Sequence, residues 1–126
     1  DCIVTDHAPH AGYEKEVEFD AAPFGILGLE TSFPLVYTTL VKTGILTFAQ
    51  AIAKMTFEAA RVLKLPNDAG TLKSGALADI TVLDLEHEWT IDRNAVQSKS
   101  QNTPFHGMKV QGKAAFTVVG GKVITL

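Results

Sequence analysis

Asp6, His7 and His10 lie within five positions of one another. A carboxylate and imidazoles at such spacing can bind a divalent metal or carry a proton between reacting atoms. Their setting points the same way. Asp1 to Thr5 reads as a short buried strand, apolar in its middle and β-branched at Ile3, Val4 and Thr5. Pro9 then stops any regular element. A carboxylate where a strand gives way to a loop is where (β/α) barrels keep their catalytic groups. The bare cluster fits an ordinary turn or helix-capping carboxylate as well, and the residue types alone do not separate the two.

The elements that must position these residues follow in order. Residues 11–28 form a long loop, charged at first (Glu14, Lys15, Glu16, Glu18, Asp20), then apolar and glycine-rich from Ala21 to Gly28. A loop of that length in a compact domain is functional or disordered as a rule. A helix capped by Thr31 is expected through Leu35, Val36, Leu40 and Val41, with Pro34 in its first turn and Gly44 as its stop. A second opens on the capping box Thr47–Gln50 and carries Phe48, Ile52 and Met55 on its apolar face. A third, from Phe57 to Leu63, ends before Pro66 and Asn67. Beyond Gly70 the period changes to that of strands: Ala78–Asp84, Glu88–Asp92, Gly107–Gly112, Ala114–Val119 and Lys122–Leu126, the last two joined by a tight Gly120-Gly121 turn. A lone strand cannot make a sheet. Its neighbours are expected outside this sequence, so the pattern reads as a piece of a larger α/β protein.

Composition narrows the function classes. The chain has 126 residues, 46% hydrophobic and 20% charged, with a net charge of −3. No Lys/Arg run provides a footprint for nucleic acid. No apolar stretch approaches the roughly 20 residues of a membrane span. The opening residues lack the basic start of a signal peptide. One cysteine, Cys2, rules out an internal disulfide and fits a reducing compartment.

The order of residues around Asp6 carries more. Thr5-Asp6-His7-Ala8-Pro9-His10, then Glu14-Lys15, then Ala22-Pro23-Phe24-Gly25-Ile26-Leu27-Gly28-Leu29-Glu30-Thr31 closely resembles the last barrel strand and substrate loop of bacterial-type dihydroorotases, members of the amidohydrolase superfamily. The likeness continues through Gly70-Thr71-Leu72, Gly75 to Ile80 and Ser98 to Phe105, and so covers essentially the whole chain. The first blocks are particular to dihydroorotases and the later ones are common to the superfamily.

The resemblance implies an α/β fold. Residues 1–67 would be the C-terminal part of a (β/α)8 metal-dependent hydrolase barrel (last strand, substrate loop and helices), and 68–126 a small β-rich domain. It implies the reversible cyclisation of N-carbamoyl-L-aspartate to dihydroorotate, a cytoplasmic step of pyrimidine biosynthesis. Asp6 maps onto a residue that is both metal ligand and proton shuttle, and His10 onto a substrate-binding histidine. The backbone at Phe24 and Gly25 would hydrogen-bond the substrate, and Gly25 suits a close approach because it lacks a Cβ. The implied metal is zinc, one or two ions, with most ligands outside this chain. A homodimeric whole protein and association with aspartate transcarbamoylase are implied as well.

Other polar residues have plainer readings. His7 is expected in a supporting or packing role, His87 in solvent and His106 at a domain junction. Glu14, Lys15 and Glu16 read as a solvated loop face, Cys2 as a buried strand residue, and Trp89 and Phe116 as core of the β tail. The His-x-His pair and further ligands of the resembled family are absent from these 126 residues. Catalytic zinc takes about three protein ligands, so no turnover is expected of this chain by itself. Two competing readings stand beside the first: another cyclic amidohydrolase, such as a hydantoinase or allantoinase, and a non-catalytic dihydroorotase-like scaffold for aspartate transcarbamoylase. The retained Asp6 and His10 argue against the scaffold. Pro23-Phe24-Gly25 with His10 favours dihydroorotase over its sister amidases.

Overall fold

The computed structural model describes residues 1–66 and 68–125. Among them, four short helices precede an antiparallel sheet. The helices are α1 (Gly12–Lys15), α2 (Ser32–Val36), α3 (Phe48–Met55) and α4 (Phe57–Val62), and α2 runs on into a wider π turn at Tyr37–Val41. The strands are β1 (Ile80–Thr90), β2 (Lys109–Val119) and β3 (Lys122–Thr125), in the order β1-β2-β3. No helix of the described residues is long and apolar enough to cross a membrane.

The sheet joins segments that the sequence pattern separates. The expected strands 78–84 and 88–92 are largely one element, β1, and the break between them is a register shift between Asp84 and Glu88. There Asp84 Oδ1 accepts from Glu86 N at 3.0 Å, a local turn inside the strand. Likewise 107–112 and 114–119 run together as β2, with a shift opposite Val82 and Leu83. Such bulges bend a strand without ending it. The Gly120-Gly121 turn is as expected, with both φ positive (54° and 80°). Asp79 Oδ1 accepts from Gly120 N at 2.7 Å, and Ala78 O accepts from Gly121 N at 3.0 Å, tying the turn to the start of β1. The end of the last expected strand, Leu126, lies outside the described residues, as does Asn67 at the end of the third expected helix.

The helices meet the sheet at Gly112. A Cβ there would lie 2.8 Å from the Phe33 ring and 3.2 Å from that of Tyr37. Only glycine lets α2 approach β2 this closely. Phe33 and Tyr37 stack at 5.7 Å, Phe48 meets Tyr37 edge-on at 6.1 Å, and Thr38 Oγ1 accepts from Gln111 N at 2.9 Å. Leu27, Val36, Ala51, Ala60, Ile91 and Val110 are buried and form a small core. Trp89 is half-buried and donates from Nε1 to Gly112 O at 3.2 Å.

Two local expectations need correction. Asp1 to Thr5 forms no strand and is not buried; Val4 is 77% exposed. A strand exists through its hydrogen-bonded neighbours; among the described residues this segment has Ile3 N donating to Lys54 O at 3.1 Å, and the isolated parallel bridge of His7 with Ile26 lies just beyond it. Thr31 precedes α2 as expected but makes no capping bond. It takes a near-helical conformation (φ −107°, ψ −4°) in place of the extended one a capping hydroxyl needs, and its Oγ1 is buried with no partner among the described residues. Thr47 does cap α3: Gln50 N donates to its Oγ1 at 3.2 Å, and Gln50 Oε1 accepts from Thr47 N at 2.8 Å.

Candidate functional site

The chain folds its glycine-rich loop back onto the Asp6–His10 segment. Ala8 N donates to Ile26 O at 2.9 Å, and His10 Nε2 lies 2.8 Å from Phe24 O. A carbonyl can only accept, so Nε2 carries the proton of that bond. The other ring nitrogen, Nδ1, faces Glu14 Oε2 at 3.8 Å. Gly25 sits at the closest approach with φ 124°. A Cβ there would fall 2.4 Å from Ala8 Cβ and 3.2 Å from His10 Nε2, which excludes any side chain in this arrangement.

Three further side chains hold the loop. His7 Nδ1 accepts from Gly28 N at 3.1 Å and from Leu29 N at 3.4 Å, so a neutral ring carries its proton on Nε2. Lys15, expected in solvent, donates from Nζ to Pro23 O at 2.6 Å and to Gly25 O at 3.2 Å. It is drawn there because loop carbonyls that lack a ladder need donors. Glu14 is not free either: its Oε2 accepts from Ala11 N at 2.8 Å at the start of α1. Asn102 comes from the far end of the chain, donating from Nδ2 to Ala8 O at 3.2 Å and Gly25 O at 3.1 Å. Neither Lys15 nor Asn102 stood out as a site residue in the sequence. The one signal for Asn102 was its place in the Ser98–Phe105 block.

The structure thus brings His10, Phe24 and Gly25 together. The carbonyls of Phe24 and Gly25 already accept from His10, Lys15 and Asn102. The Phe24 side chain is 96% exposed. Asp6 is exposed with φ 44°, a left-handed conformation that Asp tolerates better than most residues. Among the described residues no three His, Cys, Asp or Glu side chains are placed to hold a metal ion. Asp6 belongs to no such group among the described residues. His87 is exposed, as expected. His106 is 47% exposed beside Asp92 at 3.6 Å, and its Nδ1 accepts from Arg93 N at 3.2 Å, which makes it a turn-closing residue.

Comparison with known proteins gives a consistent set of likenesses. The sequence profile of the amidohydrolase family matches residues 1–124. A dihydroorotase from Elusimicrobium minutum is 50% identical over 123 residues, covering 98% of this chain and 28% of that protein. A dihydroorotase from Pelotomaculum thermopropionicum is 51% identical over 124 residues, covering 98% of the chain and 29% of that protein. The chain thus spans under a third of the length of the curated relatives it matches. Among solved structures, a D-hydantoinase (dihydropyrimidinase) from a Thermus species superposes with a TM-score of 0.89 at 29% identity, over 99% of this chain and 28% of that one. An L-hydantoinase from Arthrobacter aurescens does so with a TM-score of 0.76 at 35% identity, over 83% and 23%.

Proposed function

Because the chain belongs to the amidohydrolase family, with an α/β hydrolase-type fold, we propose that the whole protein is a dihydroorotase, interconverting N-carbamoyl-L-aspartate and dihydroorotate. The observation that carries this is the closure of the Pro23-Phe24-Gly25 loop onto His10. It puts an imidazole against the loop backbone at Phe24, in the same short segment as the Asp6 carboxylate. The half-identical relatives named dihydroorotase support the same substrate.

In this reading residues 1–67 complete the barrel and 68–126 form the small β domain. Exposed Val4, Tyr13, Phe19 and Phe24 would then lie against the remainder of the barrel. Asp6 takes the proton released by the attacking water and passes it to the departing ring nitrogen, and does the reverse on closure. His10 binds the substrate carboxylate, and backbone groups at Phe24 and Gly25 orient the ring. Zinc is the proposed metal, with Asp6 as the ligand this chain supplies, and its service would be to polarise the scissile amide carbonyl. The proposed setting is the cytoplasm, with a homodimer as the assembly and aspartate transcarbamoylase as a candidate partner.

The test is a substrate panel on the purified whole protein with zinc: dihydroorotate, N-carbamoyl-L-aspartate, a hydantoin and allantoin. Interconversion of the first two is expected. Turnover of a hydantoin or allantoin in their place would move the assignment to a sister amidase, a reading compatible with the hydantoinase structures. No turnover of any of the four would favour the scaffold.

A further inference from the structure

We propose that Asn102 is a positioning residue for the substrate-binding half of this site. This rests on the dihydroorotase reading above. Asn102 lies 92 residues beyond His10 and 77 beyond Gly25, and its side chain meets both segments of the substrate-binding half at once. Nδ2 donates to Ala8 O at 3.2 Å and to Gly25 O at 3.1 Å, while Oδ1 accepts from His10 N at 3.3 Å. The orientation of the amide is fixed by its partners, because two carbonyl oxygens can be met only by its N–H groups. Its own backbone carbonyl accepts from Leu27 N at 3.0 Å. Ser100, 7% exposed, places its hydroxyl beside both His10 O and Asn102 Oδ1, and its single proton serves one of these acceptors at a time.

The consequence is geometric. The bond from His10 Nε2 to Phe24 O depends on the separation of two segments, 8–10 and 24–25. Asn102 is the side chain that spans them from a third. It touches no expected reacting atom and acts through His10 and the loop. Few other side chains could replace it: the span needs two donors and an acceptor on one short planar group, which only a carboxamide provides. The residue belongs to the 68–126 part, so the β-rich tail would reach into the barrel's substrate loop and set its register.

The test uses the whole protein. Asn102→Asp keeps the volume and the acceptor for His10 N, but it replaces both donors with a carboxylate oxygen facing two carbonyls. KM for dihydroorotate is expected to rise about tenfold or more with kcat within about threefold, the signature of lost binding rather than lost chemistry. Hydrogen exchange at the amides of Ala8, His10 and Leu27 should accelerate, while the β1–β2 amides stay protected. Ser100→Ala should move both readouts the same way by less. Unchanged exchange at those three amides overturns the proposal, and so does faster exchange with unchanged KM. If Asn102→Asp also loses protection in β1–β2, Ser100→Ala decides by the same two readouts. A wild-type protein that does not open dihydroorotate refutes the assigned reaction and leaves the clamp to be decided by exchange alone.

Discussion

Replacing Gly25 by alanine is expected to unseat the substrate loop without unfolding the chain. The added Cβ would stand 2.4 Å from Ala8 Cβ, and the backbone would have to keep φ at 124°. Overpacking of this kind costs about 1–3 kcal/mol. Holding a side-chain-bearing residue in that backbone region costs about 1–3 kcal/mol more. Against this stand five hydrogen bonds that keep residues 23–26 in place: Ala8 to Ile26, His10 to Phe24, Lys15 to Pro23 and to Gly25, and Asn102 to Gly25. Each is worth about 0.5–1.5 kcal/mol net. The penalty is thus as large as what retains the loop, and the loop should yield before the sheet does, because the atoms nearest the added Cβ belong to Ala8 and His10 and not to the Phe33–Gly112 contact. At about 1.4 kcal/mol per factor of ten, KM for dihydroorotate in the whole protein should rise about 10- to 100-fold, with only a small fall in Tm. Gly12→Ala is the control: nothing lies within 4 Å of its Cβ position, and KM should not move. A Gly25→Ala protein with wild-type KM, or an equal rise in Gly12→Ala, would show that the close approach does not govern binding.

Three other outcomes are expected of the whole protein. Asp6→Ala should lose turnover by at least the 10²- to 10⁴-fold of a positioned proton carrier, and a near wild-type rate in steady-state assays would remove that role. His10→Ala should raise KM for dihydroorotate more than it lowers kcat, because in the proposed reading the imidazole binds the substrate carboxylate and takes no part in the reaction; unchanged kinetics would take His10 out of the site. Ring closure converts a carboxylate into an amide carbonyl and consumes a proton, so above the reference carboxylate pKa of roughly 4 the equilibrium should shift about tenfold toward N-carbamoyl-L-aspartate per pH unit. Equilibrium ratios measured across a pH series check this, and a pH-independent ratio would mean that these are not the two compounds being interconverted.

What the sequence made legible was local. The Thr47–Gln50 capping box, the Gly44 stop and the Gly120-Gly121 turn each depend on a few neighbouring residues, and each is found. The strands beyond Gly70 were legible as strands, but their interruptions read as ends where the fold makes bulges, since a bulge is specified by the partner strand. Asp1–Thr5 shows the limit most plainly. Its β-branched pattern is that of a strand, yet pairing needs a neighbour and none of the described residues provides one. Lys15 and Asn102 were missed for a related reason. Their partners are backbone carbonyls of other segments, and no residue pattern announces those.

The two halves of the candidate site differ in what fixes them. His10, Phe24 and Gly25 are held by groups of this chain alone: His7 on the Gly28 and Leu29 amides, Lys15 on the loop carbonyls, Asn102 across the gap. Asp6 has only its flanking backbone, turned to φ 44°, and an exposed carboxylate. A left-handed aspartate costs energy that its surroundings must offset. In the proposed reaction that offset is the metal and the ligands that complete its shell. The asymmetry explains why variants should sort as they do. Gly25, His10 and Asn102 lie in the half that this chain determines, so changing them should alter how substrate is held. In the proposed reading Asp6 lies in the half that other residues of the whole protein would complete, so changing it should alter whether the bound amide reacts.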